Sequence, residues 1–217
     1  MFISFDGIDG VGKSTQLDRL IGWLESEGHE IVRCRDPGTT DLGEALREIL
    51  LSGRVQPIGR RAEMLIYMAA RAQLVEEIVA PALAAGRSVV SDRFLLSNVV
   101  YQGWAGGLKP DELWRVGEIA CQETQPDLYL VLDMDPEQAL QRLNRELDRM
   151  EQQGAEFRRR LRDGFLQEAA ARPERVAVVN ADQPVDAVEA DVRKAVGSLL
   201  ERLGRREIDS PQTPSSE

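Results

Sequence analysis

Two hydrophobic periods alternate along this chain. Short runs that are apolar at nearly every position read as strands buried on both faces, the habit of a parallel sheet. They fall at Phe2, Ile3 and Phe5, at Glu30 to Cys34, at Arg87 to Asp92 around Val89-Val90, at Asp127 to Asp133, and at Arg175 to Val179. Between them the period lengthens to that of helices. Ser14 to Glu27 carries Leu17, Leu20, Ile21 and Leu24 on one face, and Leu42 to Leu51 and Arg60 to Leu83 follow. Leu95 to Tyr101, Asp111 to Gln122, Pro136 to Leu147, Ala155 to Ala171 and Val185 to Leu203 complete the set. Strand and helix alternate throughout, which predicts an α/β fold: a five-stranded parallel sheet with helices on both faces and right-handed crossovers.

Three stretches depart from that regularity. Met64 to Ala70, inside the third helical run, is apolar on every face, so the helix over 60–83 is expected to be buried on two sides. That excess apolar surface predicts a two-fold homodimer through this helix. Arg145 to Gly154 is highly charged and without periodicity, and is expected to be mobile. Residues 204–217 are polar with Pro211 and Pro214 and read as a disordered tail, leaving 1–203 as a single domain.

Charge narrows the range of partners. A net charge of −10 argues against nucleic acid or an anionic membrane. No apolar run approaches the length of a membrane span, and the chain begins directly with a strand, without a signal sequence. Cys34 and Cys121 are far apart and fit a reducing, cytoplasmic setting. His29, the only histidine, falls in a Gly28-His29 turn, so no metal-ligand cluster is in view.

The chemistry begins at the end of the first strand. Gly7-Ile8-Asp9-Gly10-Val11-Gly12-Lys13-Ser14-Thr15 fits the phosphate-binding P-loop, between a strand and an amphipathic helix as that motif requires. Glycines let successive backbone N–H groups turn toward phosphate, and the helix dipole points its positive end there. Lys13 adds a cation and the Ser14 hydroxyl can ligate Mg²⁺. Asp92-Arg93 stands where open α/β sheets place ligand contacts, at the end of the third strand. The size disfavours a motor, and no Asn-Lys-x-Asp segment marks a GTPase.

These features favour phosphoryl transfer from ATP to a small acceptor. No histidine is placed to serve as a base, as an alcohol acceptor would want. A phosphate acceptor is largely ionised at pH 7, its second pKa being about 6, and needs cancellation of charge. Arg35, Arg71, Arg93, Arg142, Arg145, Arg149 and Arg158 to Arg160 are candidates for that cancellation.

The motifs together resemble the thymidylate kinase family over nearly the whole chain to about Leu203. The carrying residues are Phe5 to Thr15, Arg35-Asp36-Pro37-Gly38, Leu42-Gly43 with Arg47, Tyr67-x-x-x-Arg71-x-Gln73, and Asp92-Arg93-Phe94-x-x-Ser97-x-x-x-Tyr101-Gln102-Gly103. Pro126-Asp127, Leu132-Asp133, Asp148-Arg149-x-Glu151 and Asn180-Ala181 extend the match. The resemblance implies a P-loop nucleoside triphosphate hydrolase-like fold and the reaction ATP + dTMP → ADP + dTDP with Mg²⁺. It implies that Asp9 contacts the sugar 3′-hydroxyl, that Tyr67 stacks on thymine and that Arg71 reads a thymine carbonyl. Arg35, Pro37, Arg47 and Arg93 would lie near the acceptor's phosphate and sugar, Ser97 and Gln102 beside the base, and Tyr101 under C2′. Residues 7–15, Arg142, Arg145 and the Asn180-Ala181 adenine cradle would bind ATP. Ser14 and Asp92, the latter directly or through water, would hold the metal.

Catalysis on this reading falls to Lys13, Arg93, Asp9 and Arg149. Some members of the family carry an arginine in the P-loop. Here Gly10 and Val11 follow Asp9, so the lid at about 145–154 is expected to supply that cation, with Arg149 first and Arg142 or Arg145 next. The family usually has Glu at Asp36, Gly at Thr39 and Tyr at Phe94. Two alternatives stand beside this reading: another nucleoside monophosphate or deoxynucleoside kinase, and a non-catalytic ATP-binding paralogue. Asp163-Gly164-Phe165 superficially resembles adenylate kinases but lies in a charged helical stretch.

Overall fold

The structure, a computed structural model, describes residues 1–52, 54, 57–143 and 153–209. Five strands form one parallel sheet in the order β2-β3-β1-β4-β5. They are β1 (Phe2–Asp6), β2 (Ile31–Arg35), β3 (Ser88–Asp92), β4 (Leu128–Asp133) and β5 (Val176–Asn180). All five residues of β1 are buried, and Ser4 sits in register with Ser91 of β3 and Tyr129 of β4. The chain fills one side of β1 with β2 and β3, then crosses to the other with β4 and β5. The strand order therefore reverses at β1, where such sheets open a crevice for ligands.

The helices are α1 (Lys13–Ser26), α2 (Asp41–Leu51), α3 (Arg60–Leu74), α4 (Ala80–Ala84), α5 (Leu95–Asn98), α6 (Pro110–Cys121), α7 (Pro136–Gln141), α8 (Ala155–Ala171) and α9 (Val185–Asp209). Two differences from the periodicity have a common cause. The helical run over 60–83 is continuous but passes through a π-helical stretch, Val75–Val79, between α3 and α4. The Leu95 run likewise continues as a π-helix over Val99–Ala105, past the expected end at Tyr101. A wider turn shifts side-chain phase by one residue, so a 3.6-residue template loses the segment. Helix α7 ends at Gln141, short of the expected Leu147, and a further difference lies at the last helix. Helix α9 runs to Asp209, six residues past the predicted boundary at Leu203, and an ion pair from Arg205 to Glu201 spans its last turns. Residues 210–217 lie outside the described residues.

The core packs around the β1 surroundings, with Phe2 and Phe94 edge-to-face at 5.0 Å. Helix α8 closes the other flank. A Cβ on its Gly164 would sit 2.7 Å from the Cβ of Trp104, so the glycine is a packing residue between α8 and the π-helix. That accounts for Asp163-Gly164-Phe165 without reference to adenylate kinases. The buried Glu168, one turn on, accepts from the indoles of Trp104 (2.8 Å) and Trp114 (3.0 Å) and from Arg172.

Candidate active site

Beyond β1 the P-loop turns against the sheet and α7. A Cβ on Gly7 would lie 2.5 Å from the Leu132 carbonyl oxygen, and one on Gly10 would lie 2.0 Å from that of Ala139. Both positions also have positive φ, so the turn requires glycine twice over. Lys13 is buried, and its Nζ donates to the carbonyls of Ile8 (2.7 Å) and Gly7 (3.2 Å). Burial and Arg93 lower its pKa against the opposing pull of Asp9 and Asp92. The loop floors a cleft with about 970 Å³ of open space, walled by Ser14, Thr15, Arg35, Asp92 and Arg142 among others.

The cleft fits a hydrated divalent cation on chemistry and on one orphaned atom. Ser14 is exposed in it, and the Oδ1 of Asp92 is buried with no hydrogen-bond partner among the described residues. An unpaired buried carboxylate oxygen beside a phosphate cleft matches what a metal-bound water requires.

A second pocket opens beside the first, with about 620 Å³ of empty space. Its walls come from the segment after β2 (Asp36, Pro37), from Arg47 and Leu51 of α2, from Tyr67 and Arg71 of α3, and from residues 93–101 after β3. The two cavities share Asp9, Asp36, Arg47 and Arg93. At that junction Arg93 holds a left-handed backbone, φ 66°, rare for a side chain of its size. Its guanidinium donates to the Gly7 carbonyl (2.8 Å), Ser97 Oγ (3.1 Å), Tyr101 Oη (3.2 Å) and Asp9. Burial pushes the Asp9 carboxyl up, but Arg93 and Lys13 outweigh it and hold the group well below the usual carboxylate range. Asp6, beneath them, goes the other way: burial raises it against hydrogen bonds from Ser4 and Ser97.

The α3 side of the pocket is backed by a buried polar chain. Arg71 Nε donates to Asp36 Oδ2 at 2.6 Å, and its Nη1 to Asn98 Oδ1 at 3.1 Å and Met68 Sδ at 3.0 Å. Arg71 and Asp36 are respectively 1 % and 2 % exposed, so neither charge could stay without the other. Burial raises the Asp36 pKa while Arg71 pulls it back. Asn98 Nδ2 donates to Gln102 Oε1 (2.6 Å), and Gln102 Nε2 to Glu63 (3.0 Å).

A thymidylate kinase family model matches residues 5–192. A thymidylate kinase of Bifidobacterium longum (strain DJO10A) is 42 % identical over 202 residues, 92 % of this chain and 98 % of that protein. One from Caldanaerobacter subterraneus subsp. tengcongensis is 44 % identical over 200 residues, 92 % and 96 % of the two chains. The chain belongs to the thymidylate kinase family. In three dimensions the thymidylate kinase of Ehrlichia chaffeensis, a crystal structure, aligns with a TM-score of 0.75 at 29 % identity, covering 91 % of this chain and 98 % of that one. The five-stranded parallel sheet and P-loop expected from the sequence are those of the family.

Against the family's pattern, most expected residues converge. Asp9, Pro37, Arg47, Tyr67, Arg71, Arg93, Ser97 and Tyr101 all line the second pocket. Arg35 lines the phosphate cleft instead, gripping Glu44 through Nη2 at 2.8 and 3.1 Å. Gln102 is not on the pocket wall. It is 3 % exposed, one layer behind, and Asn98 takes the wall position. Ile8 and Val11 bury their side chains in the core, so their contribution to the loop is backbone. Arg142 lines the phosphate cleft and donates to the Ala181 carbonyl at 3.4 Å, which brings it to the Asn180-Ala181 corner at the end of β5. Arg145 and Arg149 lie outside the described residues.

Two of the family departures have local explanations. Thr39 adopts φ 72°, a backbone that favours glycine, and its Oγ1 accepts from Arg35 N (2.8 Å) while its own N donates to Glu44 (2.8 Å). Phe94 is fully buried, its ring against Phe2 and 5.4 Å from the Arg71 guanidinium carbon. Asn98 escaped the sequence reading, although its four-residue spacing from Gln102 was a signal: on a helical turn such residues stack.

Proposed function

We propose that this thymidylate kinase family member transfers the terminal phosphoryl group of ATP to dTMP, giving ADP and dTDP. The observation that carries the proposal is the junction of the two cavities at Asp9 and Arg93. A donor in one and an acceptor in the other would meet there without water between them. The acceptor pocket has the features a thymine needs: an aromatic side chain (Tyr67), a guanidinium (Arg71) fixed by Asp36, and an amide (Asn98) fixed by Arg71 and Gln102.

The chain's own groups then divide the work. P-loop amides and Lys13 bind the triphosphate, and Lys13 exchanges its carbonyl contacts for phosphate oxygens. Arg93 neutralises charge on the transferring group while Asp9, kept ionised by Arg93 and Lys13, accepts from the sugar 3′-hydroxyl. Tyr101, whose Oη donates to Asp9 (3.1 Å), presents its ring to C2′. Ser14 and Asp92 would hold Mg²⁺, which supplies charge neutralisation on the phosphates when bound. Arg149 of the lid would add the cation that the P-loop lacks, and Arg142 with Asn180-Ala181 would flank the adenine. A cytoplasmic setting is consistent with two free, buried cysteines, and among the described residues no helix is long and apolar enough to cross a membrane.

A homodimer through the 60–83 helix is part of the same proposal. Its support is Leu65, 52 % exposed on α3, and Ile119, 80 % exposed on the adjoining α6. A two-fold partner on this face would cover both.

The test is an ADP-release assay with dTMP, dUMP, dGMP, dCMP, AMP and thymidine as acceptors. Turnover with dTMP foremost, and none with thymidine, is the expected result. A preference for AMP or for the unphosphorylated nucleoside would replace dTMP by another acceptor.

A further inference from the structure

We propose that Arg158, on the first turns of α8 and outside the lid, is a binding group for the γ-phosphate of ATP. Its side chain is only 16 % exposed, yet its one ion-pair partner among the described residues is Glu137 of α7. That contact is 3.5 Å long, to a carboxylate 54 % exposed. The side chain makes no hydrogen bond to a described residue, and its Nε is buried without a partner. A buried cation held this loosely is under-satisfied, whereas Arg93 and Arg71 nearby have several short partners each.

Its surroundings say what would satisfy it. Arg158 walls a small recess, with about 350 Å³ of open space, together with Leu140, Leu143, Leu161, Asp9 and Tyr101. Through Asp9 and Leu143 this cavity adjoins the phosphate cleft, and through Asp9 and Tyr101 the acceptor pocket. The phosphoryl group that passes between the two clefts must lie beside that junction. A phosphate bearing two charges is the chemistry that a loosely held guanidinium recognises, and the leucine walls strengthen the attraction. The residue projects from a seventeen-residue helix whose Phe157, Leu161 and Phe165 are buried, so it needs no closing segment to be in place. The inference rests on reading the phosphate cleft as an ATP site, and does not depend on which acceptor is used.

The test compares ATP and ADP affinities by calorimetry for wild type, Arg158→Met and Arg158→Lys, with dTMP turnover measured on the same wild-type preparation. A γ-phosphate contact predicts that Arg158→Met weakens ATP at least tenfold and leaves ADP within twofold, with Arg158→Lys in between. Equal weakening of both nucleotides would mean that Arg158 only braces α8 against α7, and no change in either would mean it touches nothing. Both results overturn the inference. Should Arg158→Met not fold, Arg158→Gln is read by the same ATP-to-ADP ratio. A wild type that loses ATP selectively on substitution but does not turn over dTMP keeps the inference and sinks the acceptor assignment. A wild type that binds neither nucleotide sinks the ATP site and the inference with it.

Discussion

The phosphate cleft and the acceptor pocket are neighbours built on opposite plans. The floor of the cleft is made by backbone: consecutive residues 7–15, glycines pressed against Leu132 and Ala139, and a helix start at Lys13. The pocket is made by side chains from five separated segments, backed by a buried chain from Asp36 through Arg71, Asn98 and Gln102 to Glu63. A backbone site recognises what all nucleoside triphosphates share, their phosphates. A side-chain site can recognise one base, at the cost of burying charge. On the proposed function, the difference would put generality in one cavity and selectivity in the other.

Breaking the buried chain should have the largest effect. Arg71→Met leaves Asp36 charged and alone in the interior, which should cost about 3–5 kcal/mol of stability. Asp36→Asn paired with Arg71→Met should recover much of that loss without recovering dTMP binding. Urea unfolding of the single and double variants measures the first, and a double variant as unstable as the single would show that the pair is not the coupled unit.

On the phosphate side, the lid is expected to add a transition-state cation. Arg149→Ala should lower kcat about a hundredfold, roughly 3 kcal/mol, with the KM for dTMP within about twofold, because the contact forms mainly in the transition state. Near-normal kcat here, with collapse in Arg142→Ala or Arg145→Ala, would move the role within the lid. Retention in all three would leave the cleft to Lys13, Arg93 and the backbone.

Tyr101 tests the boundary between the two plans, since its ring also packs edge-to-face with Phe157 and Phe165, each 6.4 Å away. If the ring excludes a 2′-hydroxyl, UMP is far poorer than dUMP, and Tyr101→Ala narrows that ratio by roughly tenfold. Tyr101→Phe keeps the ring and should keep the ratio. Equal ratios in all three proteins would reduce Tyr101 to packing.

The smallest effect concerns Thr39, where a threonine occupies a glycine-like backbone. Thr39→Ala loses the hydroxyl's bond to Arg35 N and keeps the strain, whereas Thr39→Gly loses the bond and relieves it. The glycine variant should therefore be the more stable by about 1 kcal/mol. Thermal unfolding with equal midpoints would show that the strain is already relaxed.

The same contrast explains what the sequence made legible. The P-loop reads directly because its physics lies in consecutive residues, and the strands read because parallel burial leaves unbroken apolar runs such as Leu128 to Leu132. Asn98 and Gln102 were harder. They lie at the two ends of one helical turn, and only the packing of α3 decides which faces the pocket. The pairing of Arg71 with Asp36 spans 35 positions, a distance over which no local pattern carries information. The π-helix at Val99–Ala105 hid a segment for the same reason, since its extra residue breaks the period that identifies helices.

Selectivity in a preformed side-chain pocket is the central claim, and calorimetric titration without ATP tests it most directly. dTMP and dCMP differ at the edge of the base that Arg71 and Asn98 would face. The account predicts saturable binding of one dTMP per chain and at least tenfold weaker binding of dCMP, with the difference lost in Arg71→Met. Equal affinity for dTMP and dCMP in the wild-type protein would contradict it.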